Sequence, residues 1–318
     1  MSSLRAYAPA SIGNFAAGFD LLGAALAPRD GSLLGDLVEV HPAEADSLEI
    51  LGPYAATLPG PPEDNLVLRT ARLYAEALRS RGLEAGPARF VLHKNLPVNS
   101  GLGSSASSIV AALTALQAAA GEPLARNEVL DLAGRAEGIF SGGVHLDNVA
   151  PSLAGGLQLI VPGRRPGQPL ASRSLPWFED LQVVVVHPDF ELPTARSRAV
   201  LPPAVPLGKT VAWGQNLAAL VHALHTRDRA LLALSLRDLL VEPHRAGLVP
   251  GFPEAKARAL AEGAFGASLS GSGPSAFAVA GEDRAEAVQG SMQAAFRGHG
   301  LESHAWICHL DALGARIL

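Results

Sequence analysis

The chain has 318 residues, 48% of them hydrophobic, with a formal net charge of −5. That length carries one large domain or two ordinary ones, and the charge offers no field to draw nucleic acid or an anionic membrane. Cys308 is the only cysteine, which rules out an intrachain disulfide and a thiolate metal cluster.

The opening segment, Met1 to Gly13, has Pro9 and polar residues where a signal peptide needs an apolar core. The Ala/Leu-rich stretch Ile109 to Ala120 is broken by Thr114 and Gln117 and is too short to span a bilayer. A soluble cytoplasmic protein is expected. Short strands are predicted over Asp36 to Val40 and Ser47 to Leu51, and helical spacing runs through Asn65 to Arg81. Arg89 to Leu96 alternates as a strand and leads into a glycine-rich loop, followed by a helix from Ser107 to Ala120. Asn127 is the expected N-cap of a helix that reaches Phe140 and carries Glu137. Gly155 to Val161 closes this unit as a strand, and Pro162 to Pro169 is the expected boundary, giving domains 1–163 and 164–318. Beyond it lie a β run at Leu181 to Val186, helices around Val211 to Leu224 and Asp228 to Leu240, and a glycine-rich turn at Ser270 to Pro274. A strand at Ala276 to Ala280 and a helix over Arg284 to Phe296 follow. This mixed order predicts an α+β fold.

The most informative stretch reads Pro97-Val98-Asn99-Ser100-Gly101-Leu102-Gly103-Ser104-Ser105-Ala106-Ser107. Glycines let backbone N–H groups wrap phosphate oxygens, and the next helix aims its positive end there. No Lys closes the loop as in a Walker A motif. Gly101, Gly103 and Ala106 do satisfy G-x-G-x-x-A, but four residues from Pro97 to Ser100 part the strand from the first glycine, unlike a Rossmann turn. The alternative is a plain glycine turn with Ser105 as N-cap.

Two more small-residue motifs flank it: Ala8 to Asp20, A-P-A-S-I-G-N-F-A-A-G-F-D, and Ser268 to Ser275, S-L-S-G-S-G-P-S. In this order the three resemble the GHMP kinases, whose central motif is P-x-x-x-G-L-G-S-S-A. Glu137 to Pro151, Thr194 to Pro202 and Glu242 to Gly251 are similar to blocks of the family's homoserine kinase branch. The resemblance covers essentially the whole chain. It implies a ribosomal-protein-S5-like N-terminal domain, a ferredoxin-like C-terminal domain, a site between them, and a homodimer.

The implied reaction moves the ATP γ-phosphoryl group to the hydroxyl of L-homoserine, chemistry made mostly of positioning and charge neutralisation. By this resemblance Pro97 to Ser107 hold ATP, with Asn65, Val67 and Lys94 on the adenine side, and Ser105 and Glu137 place Mg²⁺. A zwitterion needs partners of both signs. Asn14 and Asp20 are expected at its ammonium, Arg198 and Arg245 at its carboxylate, and His145, Thr194 and Gly273 around it. Arg198 is an equal candidate for the transferring phosphoryl. Asn148 stands where related kinases carry a catalytic Asp, so it would orient the hydroxyl, since an amide is no base at neutral pH. Asp147 is the alternative base. Another small-molecule kinase of the same family is the runner-up, told apart by whether the pocket presents both an anionic and a cationic anchor. A non-catalytic sensor of the same fold would be expected to lose a metal ligand or a phosphate-loop serine, whereas this chain keeps Glu137, Ser104 and Ser105. A dinucleotide-dependent oxidoreductase comes last and would bind NAD(P) and ignore Mg²⁺.

Overall fold

The computed structural model of the protein describes residues 3–141, 143–163 and 168–318. In chain order the elements are β1 (Leu4–Pro9), β2 (Ser11–Gly13), β3 (Leu22–Pro28), β4 (Gly35–Pro42), β5 (Ser47–Leu51), α1 (Leu66–Arg79), β6 (Ala88–His93), α2 (Ser104–Ala119), α3 (Arg126–Ser141), α4 (Val149–Ala154), β7 (Leu157–Val161) and β8 (Ala171–Leu175). Then come β9 (Leu181–Pro188), α5 (Thr194–Ala199), α6 (Leu207–Thr226), α7 (Arg229–Ser235), α8 (Glu242–Arg245), α9 (Phe252–Ala261), β10 (Gly266–Leu269), β11 (Ala276–Gly281), α10 (Ala285–Gly298), β12 (Ser303–Leu310) and β13 (Arg316–Ile317). The fold is α+β, as expected.

One sheet has the order β13-β1-β4-β6-β5, antiparallel except where β5 runs parallel to β6. Helix α2 lies on β1 and β4 and is flanked by α1 and α3. That sandwiching explains why α2 is apolar nearly all round, with Ile109, Val110, Ala112, Leu113 and Ala115 all buried. The second sheet runs β10-β11-β9-β12-β3-β7-β8, with β2 beside β3. Its strand β9 is buried along its whole length. Val183 and Val185 pack toward α6 and α7, while Val184 and Val186 face α9 and α10. A strand covered on both faces reads as a continuous apolar run, and that is what Leu181 to Val186 shows.

Strands from the end of the chain return to its beginning. Cys308 pairs with Pro28 across β12 and β3, and Ala6 with Ile317 across β1 and β13. Of the expected boundary, Pro162 to Pro169, residues 164–167 lie outside the described residues.

Several helix ends differ from the sequence expectation; α2 begins at Ser104, not Ser107, and α1 ends at Arg79, not Arg81. Helix α3 begins at Arg126 rather than after Asn127, because Glu128 Oε2 reaches back to accept the Ala125 N–H at 2.9 Å. The helix expected over Asp228 to Leu240 stops at Ser235, with Asp228 as its cap. Asp238 then uses its carboxylate to accept the N–H groups of Leu240, Val241 and Glu242, starting α8 in a new direction.

Candidate active site

Between β6 and α2 the loop makes two left-handed turns, at Gly101 (φ +78°) and Gly103 (φ +65°). Close packing as well as backbone freedom demands these glycines. A Cβ on Gly101 would stand 2.4 Å from the Ser270 carbonyl oxygen, and one on Gly103 would stand 2.1 Å from Ser11 Oγ. Gly103 occupies the N-cap position of α2, so Ser105 lies inside the first turn. The first-turn N–H groups have no intrahelical acceptors and share the helix's positive end.

The loop hydroxyls divide in two. Ser100 Oγ accepts the Leu102 N–H, Ser104 Oγ donates to the Leu96 carbonyl, and Ser107 Oγ donates to the Ala8 carbonyl. These three shape the loop. Ser105 instead donates to Glu137 Oε1 at 2.7 Å. Pro97 and Ala106 are buried, while Val98 and Asn99 are half-buried. Lys94 lies beneath the loop and is fully buried. Its ammonium pairs with Asp36 and donates to the Ser104 carbonyl at 2.9 Å and Ser108 Oγ at 3.1 Å. The structure thus gives Lys94 a place in holding down the start of α2. Asn65 caps α1 by accepting the Val67 N–H at 2.9 Å, and Val67 is a core residue.

The second glycine-rich turn closes on this loop. Ser270 Oγ donates to the Gly101 carbonyl and the Ser275 N–H to the Ser100 carbonyl, while the Gly271 N–H reaches the Gly13 carbonyl. All three motifs therefore meet. Gly101→Ala should lower stability by roughly 2–4 kcal/mol, from αL strain plus the displaced Ser270 carbonyl. Thermal denaturation checks this, and an unchanged Tm would show that the turn yields freely.

Glu137, on α3, is half-buried, and desolvation raises its carboxyl above the usual range despite the Ser105 hydrogen bond and the charges of His145 and Lys94. A hydroxyl and a carboxylate side by side form an oxygen donor pair suited to Mg²⁺, which commonly takes one or two protein oxygens and completes its shell with phosphates and water. Among the described residues no group of three His, Cys, Asp or Glu could cage a metal. The donor set fits an ion shared with a phosphate ligand.

Beside the loop lies a charged pocket. Asn14, Phe15 and Ala16 hold φ of +65°, +38° and +60°, an uncommon left-handed run for residues with a Cβ. Phe15 anchors it, stacking on Phe277 at 5.3 Å and meeting Trp177 edge-on at 5.5 Å. Asn14 ties the run down: its N–H donates to Asp147 Oδ2, its Nδ2 donates to the Gly271 carbonyl, and its Oδ1 accepts the Asp20 N–H. Asp20 accepts from Arg198 Nη2 at 3.1 Å and lies 3.4 Å from His145 Nδ1. Burial works to raise its carboxyl, but His145 and Arg198 outweigh that and hold it below the usual range.

Arg245 is buried and donates from Nε to the Ser197 carbonyl and from Nη1 to the Gly271 carbonyl, each at 3.0 Å. Thr194 Oγ1 lies 3.3 Å from Ser272 Oγ, joining α5 to the second glycine turn. Gly273, with φ +81°, belongs to that same turn. Asn148 Oδ1 accepts the Ser11 hydroxyl at 3.0 Å, and that oxygen is also 3.0 Å from where a Gly103 Cβ would stand. Asp147 is buried, and burial followed by the charge of Asp20 pushes its carboxyl up to about 6.

Most of the expected residues therefore converge: Asn14, Asp20, His145, Asp147, Arg198 and Arg245 around one pocket, and Ser105, Glu137 and Asn148 at the loop. Sequence reasoning missed Ser11, Phe19, Ser197 and Ser272. Ser11 and Phe19 lie within the first motif, but their partners come from α4, α5 and α8, far along the chain.

No helix among the described residues is long and apolar enough to cross a membrane. Family models describing the GHMP kinases' N-terminal domain and the GHMP kinases' C-terminal region match residues 65–156 and 220–298. A homoserine kinase from Cytophaga hutchinsonii is 33% identical over 100% of this chain and 98% of that one, with a TM-score of 0.89. Two more distant structures share the fold. They are the phosphomevalonate kinase of Streptococcus pneumoniae (13% identity, 96% of this chain and 99% of that one, TM-score 0.69) and the L. major mevalonate kinase in complex with R-mevalonate (18%, 96% of each, TM-score 0.64). With its three glycine-rich motifs gathered at one site, the chain belongs to the GHMP kinases and has their two-domain α+β architecture.

Proposed function

We propose that this protein is a cytoplasmic homoserine kinase, which phosphorylates the side-chain hydroxyl of L-homoserine from ATP in threonine biosynthesis. The observation that carries the reading is the pocket's charge pattern: one carboxylate, Asp20, beside two guanidiniums, Arg198 and Arg245, next to the phosphate loop. A zwitterionic amino acid matches both signs; a sugar or a mevalonate carries no ammonium for Asp20. The 33% identity with the Cytophaga homoserine kinase supports the same acceptor.

In this mechanism the α2 N-terminus and loop amides bind the phosphates. Ser105 and Glu137 would hold Mg²⁺, which when bound would neutralise charge on the transferring group. Asp20 binds the ammonium, and Arg198 binds the carboxylate through its planar donors. Asn148 orients the hydroxyl, whose proton leaves late to a phosphoryl oxygen or to solvent.

Acceptors lacking one charge test the pocket. With 4-hydroxybutanoate, which has no ammonium, and 3-aminopropanol, which has no carboxylate, kcat/KM should each fall roughly 10- to 100-fold below that of L-homoserine, the cost of a lost charge-assisted hydrogen bond. Equal turnover of either analogue would refute the zwitterion assignment.

A further inference from the structure

Arg198 from α5 and Arg245 from α8 converge on the ring of Phe19, their guanidinium carbons 5.9 Å and 5.6 Å from its centroid. We infer that Phe19 is a positioning residue of the acceptor site, its ring the platform that holds both guanidiniums ready for one carboxylate of the acceptor. The chemical identity of that anion rests on the function proposed above.

Two cations this close repel. Burial first, and then the charge of Arg198, bring Arg245 down to about 10. Little around them offsets the pair. Arg245 spends two donors on neutral carbonyls, those of Ser197 and Gly271. Arg198 has Asp20, which it shares with His145, and its Nε is buried without a hydrogen-bond partner. Asp238, Asp20 and Asp147 act on Arg245 only through their field. A desolvated donor left over between like charges is an arrangement that an anion completes. Until the anion arrives, Asp20 bonds Arg198 alone and reaches Arg245 only through its field, while the negative face of the Phe19 ring lies against both guanidiniums. A leucine would fill similar space but carry no such face.

Phe19→Leu and Phe19→Tyr test this with two readouts. In Phe19→Leu the KM for L-homoserine should rise about 10-fold, near 1.4 kcal/mol. The KM for ATP should stay within about 2-fold and kcat within about 3-fold, and Phe19→Tyr should restore the acceptor KM. By NMR of arginine-labelled protein without ligands, the Arg198 and Arg245 Nε–H signals should lose their ring-current shift in Phe19→Leu and keep it in Phe19→Tyr. The inference is overturned by an unchanged acceptor KM in Phe19→Leu, by equal loss in both variants, or by a parallel rise in the KM for ATP. If the parent protein fails to turn over L-homoserine, the proposed function falls, and the NMR shifts alone decide the platform: moved in Phe19→Leu only, it stands; unmoved, it falls.

Discussion

Glu137→Gln should cut kcat about 10³-fold while leaving the protein at least as stable as its parent. The isosteric amide keeps the shape and can still accept from Ser105. What it loses is the negative charge that the proposed Mg²⁺ would take as a ligand. The stability half follows from linkage. Burial raises the Glu137 carboxyl above its unfolded value, so its contribution is fully present at low pH and is lost as pH rises through the folded pKa. Removing an ionisable group of that kind relieves a cost at neutral pH. Steady-state kinetics beside a thermal melt separate the two effects. Kinetics close to the parent's would take Glu137 out of the metal site.

Asn148→Ala should lower kcat by about 10²- to 10³-fold, whereas Asp147→Asn should cost less than about 10-fold. Asn148 meets the glycine-rich loop at Gly103 and is oriented by the Ser11 hydroxyl, so truncation removes the group proposed to orient the acceptor hydroxyl. Asp147 is the tempting base, since its carboxyl lies near 6, close to working pH. Yet it is buried and accepts the Asn14 backbone N–H, a task an amide oxygen also performs. Its titration should appear in stability instead. The folded state holds the Asp147 proton more tightly than the unfolded chain, so this contribution is complete below about pH 4 and lost as pH passes 6. Relative to the parent, Asp147→Asn should therefore gain stability between pH 4 and 7, by up to about 3 kcal/mol. The opposite kinetic ranking would make Asp147 the base.

What the sequence could show depended on how local each cause is. Strand β5 coincides with the expected Ser47 to Leu51, and α1 carries its own cap in Asn65. Strand β9 is legible because both of its faces are buried. The opening strands were missed, since β1 buries Ala6 and Ala8 where a strand signal needs branched or aromatic residues. Strands β12 and β13 pair with partners near residues 28 and 6, a distance across which no local pattern speaks. The site divides the same way. The glycine spacing pointed to the loop, and the family resemblance to Asp20 and Glu137, but nothing near Lys94 reveals that its ammonium is committed to Asp36, 58 residues away. Phe19 likewise looks like an ordinary apolar residue until α5 and α8 bring two arginines onto it.

The account stands or falls on the acceptor. ADP release from Mg-ATP should be measured with L-homoserine, mevalonate, galactose and shikimate in parallel. Turnover with L-homoserine and background rates with the other three is the predicted result. Faster turnover of an acceptor without an ammonium group would contradict it, leaving the kinase fold and phosphate loop in place but removing the zwitterion pocket as their partner.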